Sequence, residues 1–276
     1  MPDAASLTLS GLPSEFEMVH RVPGTRLSGI VSRMSGYREA AAGHFRQVQP
    51  ASLVAPLIIN FGGPFAIGLG RAPRADDRFT SFAAGLFAGP VVIDSFGCSN
   101  CLQIDFTPLG ARQFFHMPMT ELTDRMVALD DVLGAEGVSF RDNLANEPSW
   151  ARRFALAECF VARRVEAARA VSLPVAWAYD RLLATGGRIP VLALAREIGW
   201  SRKHLVDRCN AEIGLGPKTL ARVVRFRRVM ALSQGRKSGG WADIAAAGGY
   251  ADQSHLARDF RELAGTTPAA WLSQAG

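Results

Sequence analysis

The stretch Ile244-Ala245-Ala246-Ala247-Gly248-Gly249-Tyr250-Ala251-Asp252-Gln253-Ser254-His255-Leu256-Ala257-Arg258-Asp259-Phe260 decides the fold of the last third of the chain. A short apolar helix runs into a Gly-aromatic turn, a residue able to cap follows, and a second helix carries Leu256 and Phe260 four apart on one face. The pattern occurs a second time upstream. Leu194-Ala195-Arg196-Glu197-Ile198-Gly199-Trp200 aligns with residues 244–250, and after one inserted residue Leu205 aligns with Leu256, Gly214 with Gly265 and Pro217 with Pro268. Such a unit is the sequence form of a helix-turn-helix, whose second helix projects outward and can read a major groove.

In the first unit the reading helix is expected to start behind a Ser201 cap and run toward Ile213, with Leu205, Cys209 and Ile213 inward. Arg202, Lys203, Val206, Asp207 and Asn210 then face solvent or DNA. In the second unit Asp252 is the expected cap, Leu256 and Phe260 face the core, and Gln253, Ser254 and Arg258 point outward. Gln253 and Arg258 rank first for base edges because each presents a fork of hydrogen-bonding groups. His204 and His255 lie in the reading helices. Contact with DNA and hydrogen bonding within the domain are both open for these rings, and His255 is kept among the candidate DNA contacts. Between the units, residues 220–232 form a basic amphipathic helix with Arg222, Arg225, Arg227 and Arg228, of which Arg225 is taken as a phosphate contact.

Charge agrees with this division. The 276 residues carry a net +6, with 15 Lys and Arg against 7 Asp and Glu from residue 181 onward and 16 against 18 before it. A segregated basic excess suits nucleic acid, an anionic membrane surface or an acidic partner. No apolar run reaches spanning length and no signal peptide is read at the start, so a soluble intracellular protein is expected and no membrane partner. Four scattered cysteines do not make a disulfide framework.

Upstream, residues 44–110 are cut by Gly and Pro into strand-length apolar runs at 57–61, 65–69, 90–96 and 101–106, which predicts a barrel or sandwich whose register is not readable. Residues 120–129 place Leu122, Met126 and Leu129 at helical spacing and predict a helix closing that domain. A longer helix is predicted over 150–171, with Phe154, Ala157, Phe160, Val161 and Val165 as its apolar stripe and Arg152 and Arg153 among its polar residues. That stripe either packs on its own domain or serves a homodimer. The expected fold is α+β: a beta-rich domain over 1–149, a connecting helix over 150–171 and an all-alpha domain with two helix-turn-helix units over 172–276.

The quoted repeat, its connecting basic helix and the ending Gly265-Thr266-Thr267-Pro268 resemble the AraC/XylS family of transcriptional regulators over residues 172–272. Pro108-Leu109-Gly110 and Met119-Thr120-Glu121-Leu122-Thr123-Asp124-Arg125 resemble the poorly characterised beta-rich domain that precedes this module in some members. The resemblance implies a bacterial cytoplasmic regulator that binds double-stranded promoter DNA. Its candidate partners are RNA polymerase, a small-molecule effector and a second copy of the chain. The first unit departs from the family pattern: Asp207 stands where a basic residue is common, Cys209 where Phe is frequent, and Gly216 precedes Pro217 where Ser is usual. The alternative function is a non-specific DNA-binding or protein-interaction module without a defined operator.

Other clusters have plainer readings. Cys98-Ser99-Asn100-Cys101 has redox or metal spacing, yet no second close pair accompanies it. Asp76-Asp77 and Asp130-Asp131 lack a neighbouring base and nucleophile, and Gly62-Gly63 is interrupted by Pro64 and reads as a turn. Phe61, Phe65, Phe79, Phe82, Phe87, Phe96 and Phe106 form either an ordinary core or the lining of an effector pocket. No catalytic residues, metal site or cofactor are expected, and the chain is not read as an enzyme.

Overall fold

The computed structural model describes residues 16–39, 43–168, 171–233 and 240–274. Two antiparallel sheets make up the N-terminal part. The six-stranded sheet contains β1 (Phe16–Arg21), β2 (Val31–Glu39), β4 (Ala55–Asn60), β7 (Phe82–Ala84), β9 (Asn100–Phe106) and β10 (Met126–Ala128), in the order β1-β2-β9-β4-β7-β10. The other contains β3 (Phe45–Gln49), β5 (Phe65–Leu69), β6 (Arg78–Phe79) and β8 (Val91–Ser95), in the order β3-β8-β5-β6. Ile58, Phe82 and Cys101 of the larger sheet meet Phe65 and Ile67 of the smaller, so the two pack as a sandwich. The opposite face of the larger sheet, with Leu57, Ile59, Leu102, Ile104 and Phe106, lies under α1 (Pro108–Phe115), α2 (Leu129–Ala145) and α3 (Trp150–Glu166). Central strands buried on both faces have little use for polar residues, which is why the alternation in 57–61 and 101–106 is blurred.

Two expectations are corrected. Residues 120–129 do not form a helix: a 3-10 turn at Met119–Glu121 is followed by Asp124 at φ 57 and then by β10, and α2 starts only at Leu129. The left-handed backbone at Asp124 ends any helical path, and Met126–Ala128 pair instead with the open side of β7. Leu122 and Leu129 are buried as their spacing requires, but a long-range sheet edge supplies the backbone partners. Arg153, expected outside, is buried at 4% exposure, its Nε donating to the Leu144 carbonyl at 2.9 Å and its guanidinium lying between the Phe61 and Trp150 rings. The apolar stripe of α3, with Phe154, Ala157, Phe160 and Val161, packs on its own sheet.

Among the described residues seven helices follow: α4 (Leu173–Ala184), α5 (Val191–Glu197), α6 (Arg202–Ile213), α7 (Pro217–Ser233), α8 (Trp241–Gly248), α9 (Gln253–Ala264) and α10 (Pro268–Gln274). Their core also takes in Ala51, Leu53 and Leu86 from loops of the sheet domain. Among the described residues no helix is long and apolar enough to cross a membrane.

Candidate nucleic-acid interface

Both units form as the repeat requires. Gly199 (φ 69) and Gly249 (φ 83) turn α5 into α6 and α8 into α9 through left-handed backbone that a side chain rarely adopts. Ser201 Oγ then accepts from the amide of His204 at 3.1 Å, and Asp252 Oδ1 accepts from the amide of His255 at 2.7 Å. These two caps satisfy amides at the starts of the reading helices and fix where each begins. Gly214 and Gly265, again left-handed, end them. Leu205, Cys209 and Ile213 face inward from α6, as do Leu256, Phe260 and Leu263 from α9. Burial pushes the Cys209 thiol up to about 12.

Arg202, Lys203 and Asp207 are exposed on α6, Val206 is half-buried beside them, and Gln253, Ser254, His255 and Arg258 are exposed on α9. Among the described residues Arg202, Lys203, Asp207, Gln253, Ser254 and Arg258 have no side-chain partner, so their hydrogen-bonding groups are unused within the fold. The two histidine rings are held by the turn aromatics: His204 meets Trp200 edge-on at 4.4 Å between centroids, and His255 meets Tyr250 at 5.3 Å.

The arginines of α7 divide between solvent and the fold. Arg227 and Arg228 are exposed. Arg225 is half-buried, donating from Nη1 to the Gly187 carbonyl at 2.7 Å and lying 5.9 Å from the centre of the Tyr250 ring. Arg222 binds Asp259 Oδ1 through Nε at 2.6 Å and also pairs with Glu262. Asp259, which sequence reasoning did not single out, is 1% exposed, and its second oxygen accepts the Tyr250 hydroxyl at 2.9 Å. Burial, reinforced by the Asp259 charge, raises the Tyr250 phenol well above its ordinary range and keeps it a donor. The available signal was an acid beside Phe260 on the inward arc of a helix, which demands a buried cation.

The sheet domain touches the ends of both reading helices. The Thr123 hydroxyl, 2.8 Å from the Met119 carbonyl, also lies 3.1 Å from the Gly214 carbonyl and shares its proton between them, and the Ala51 amide donates to the Leu263 carbonyl at 2.7 Å. A cavity of about 110 Å³ lies between the sheets, lined by Ile58, Ile67, Phe82 and Ile93 with Gln49, Ser52, Gln103 and Arg125 among its polar groups. Of the seven phenylalanines considered for a pocket, Phe82 and Phe87 line it.

The other clusters fall apart as sites. Cys98 is exposed while Cys101 is buried, its thiol pushed up to about 12 by burial. Among the described residues no group of three or more His, Cys, Asp or Glu is placed to hold a metal ion. Gly62-Gly63 is a turn, Gly63 donating to the Cys98 carbonyl at 2.9 Å. Asp77 holds Arg71, and Asp130-Asp131 sit in the first turn of α2.

Residues 194–274 match a family model described as a helix-turn-helix domain. No curated protein matches the chain. Among solved structures, ToxT from Vibrio cholerae is similar at 10% identity and a TM-score of 0.48, over 95% of this chain and 99% of that one. ToxT from Vibrio cholerae O395 bound to (E)-4-(8-methylnaphthalen-1-yl)but-3-enoic acid gives 11% identity and a TM-score of 0.48, over 95% of this chain and 100% of that one. The AraC-like transcriptional activator CuxR gives 17% identity and a TM-score of 0.25, over 82% of this chain and 91% of that one. The family match and the two capped helix pairs coincide: residues 194–274 carry a helix-turn-helix domain with two units.

Proposed function

We propose that this chain is a sequence-specific transcriptional regulator of the AraC/XylS type that binds double-stranded promoter DNA through both units. The observation that carries the reading is the pair of capped helices on which, among the described residues, Arg202, Lys203, Asp207, Gln253, Ser254 and Arg258 have no side-chain partner. Arg258 and Gln253 read base edges, and Ser254 and His255 contact the adjoining backbone. Arg202 and Lys203 bind phosphate at the first unit, where Val206 offers an apolar contact and Asp207 accepts from a cytosine amino group. Residues 172–276 are the reading module and 150–171 the connection. Whether RNA polymerase is recruited or blocked follows from where the operator lies.

Selection of a randomised duplex library by the purified chain tests this. Enrichment of one two-part sequence is expected. Salt-sensitive binding without enrichment means DNA binding with no operator, and no binding at all means a protein-interaction module.

Residues 1–149 are proposed as the regulatory domain, with the inter-sheet cavity as the seat of a small effector. Gln49, Pro50, Ala51 and Ser52 line the cavity on one side and Arg125 and Met126 on another. Ala51 holds α9 and Thr123, two residues before Arg125, holds α6, so the loops around an occupant are those that contact the reading helices. A thermal-shift screen of the full chain giving saturable stabilisation that Phe82→Trp abolishes supports the seat.

A further inference from the structure

We infer that Tyr250 and Arg225 form a strut that fixes the distance between the two reading helices, and hence the separation of the half-sites the chain accepts. The inference rests on the DNA-reading function proposed above. Four contacts build it. The Tyr250 hydroxyl is tied to Asp259 on the inner face of α9, and Asp259 is tied in turn to Arg222 of α7. One helical turn further along α7, Arg225 lies over the Tyr250 ring and donates to Gly187, in the turn that leads into the first unit. The two turns also meet directly. A Cβ on Gly249 would stand 2.9 Å from the Arg188 side chain, and a Cβ on Gly187 would stand 2.2 Å from the Ala221 carbonyl of α7.

Each part therefore touches both units or the helix between them. An apolar contact between α7 and α9 tolerates small sliding, whereas a buried carboxylate with two directed donors does not. The arrangement belongs to the second copy alone. The positions aligned with Tyr250 and Asp259 are Trp200, which has no hydroxyl, and Arg208, which pairs with Glu212 inside its own helix. The repeat has thus diverged where one copy must be anchored against the other.

On one chain, the second half-site binds at an effective concentration set by how rigidly the two heads are held. Tyr250→Phe removes the hydroxyl and keeps the ring, and Arg225→Met removes the guanidinium and keeps the stem. The test measures fluorescence anisotropy of the full chain on four labelled duplexes: the selected sequence, the same with one inserted base pair between half-sites, a single half-site, and an unrelated sequence. Both variants are expected to lose about tenfold on the selected duplex and to stay within about twofold of wild type on the single half-site and unrelated duplexes. Their penalty for the inserted base pair shrinks. Equal loss by Arg225→Met on all duplexes would make Arg225 a phosphate contact and overturn the strut, as would an unchanged insertion penalty in Tyr250→Phe. A wild-type chain that enriches no sequence overturns the DNA-reading function, and the strut with it.

Discussion

Thr123, in the loop before β10, has its hydroxyl 2.8 Å from the Met119 carbonyl and 3.1 Å from the carbonyl of Gly214, the left-handed residue that ends the first reading helix, so its one proton is shared between the two. A residue of the sheet domain thereby holds the point where α6 stops. Alanine at 214 would face both a φ of +97° and a Cβ 2.5 Å from Thr123 Oγ. Gly214→Ala is expected to cost about 1–3 kcal/mol. In a Thr123→Ala background the contact disappears and the backbone strain stays, so the two changes couple by at least about 0.5 kcal/mol. A double-mutant cycle in urea measures this, and strictly additive costs would remove Thr123 from the account.

Arg258→Ala and Gln253→Ala are expected to lose about 1–3 kcal/mol on the selected duplex while binding to unrelated duplex stays nearly constant. Anisotropy titrations at one fixed salt concentration give the comparison. A parallel fall on both duplexes would mean that these side chains hold phosphate.

Adjacent arginines on α3 should behave differently. Arg153 is buried between two aromatic rings with a bond to Leu144, whereas Arg152 is largely exposed. Arg153→Ala is expected to cost about 2–4 kcal/mol through lost packing and the lost hydrogen bond to the Leu144 carbonyl, and Arg152→Ala to stay within about 0.5 kcal/mol. Equal urea midpoints for the two variants would contradict the burial.

Stability at acid pH depends on Asp94, opposite Arg46 in the β3–β8 pair. The Arg46 guanidinium, bound at 2.7 Å, holds this carboxyl below its ordinary range, with burial opposing and His44 assisting. A carboxyl lowered in the folded state adds stability that is complete above its unfolded pKa and is lost as pH falls through the folded one. Wild type should therefore lose its advantage over Asp94→Asn as pH drops from about 5 toward 2. Denaturation curves of the two that keep a constant separation across that window count against it.

Iodoacetamide should divide the four cysteines. Cys98 and Cys159 are exposed, while Cys101 and Cys209 are buried with thiols pushed up to about 12. Native labelling at mild alkaline pH is expected at the first two only, with the others reacting after unfolding. Peptide mass spectrometry reads the outcome, and rapid native labelling of Cys209 would mean that α6 opens readily.

The two units were legible because their signals are local. Ser201, Asp252, Gly214 and Gly265 each act within a few residues of themselves, and inward positions such as Leu205 and Leu256 follow from helical period alone. The sheet domain was less legible. Strands β1 and β2 escaped notice, and β10 looked helical, since its partner β7 lies some forty residues away in the chain. At the interface the outward residues could be read, but the commitments of Arg222 and Arg225 could not. Their partners Asp259 and Gly187 are 37 and 38 residues distant, and no periodicity encodes which cation meets which acid.

Ala51, Leu53 and Leu86 enter the interior beneath α4–α9 at 4%, 4% and 1% exposure, although all three belong to loops between strands. Modularity along the sequence is then not modularity in stability. A cassette excised at residue 172 for grafting onto another sensor would carry an unfinished interior, and a working transplant would need apolar substitutes for those three side chains. The interior under the reading helices is thus completed from the sheet half of the chain.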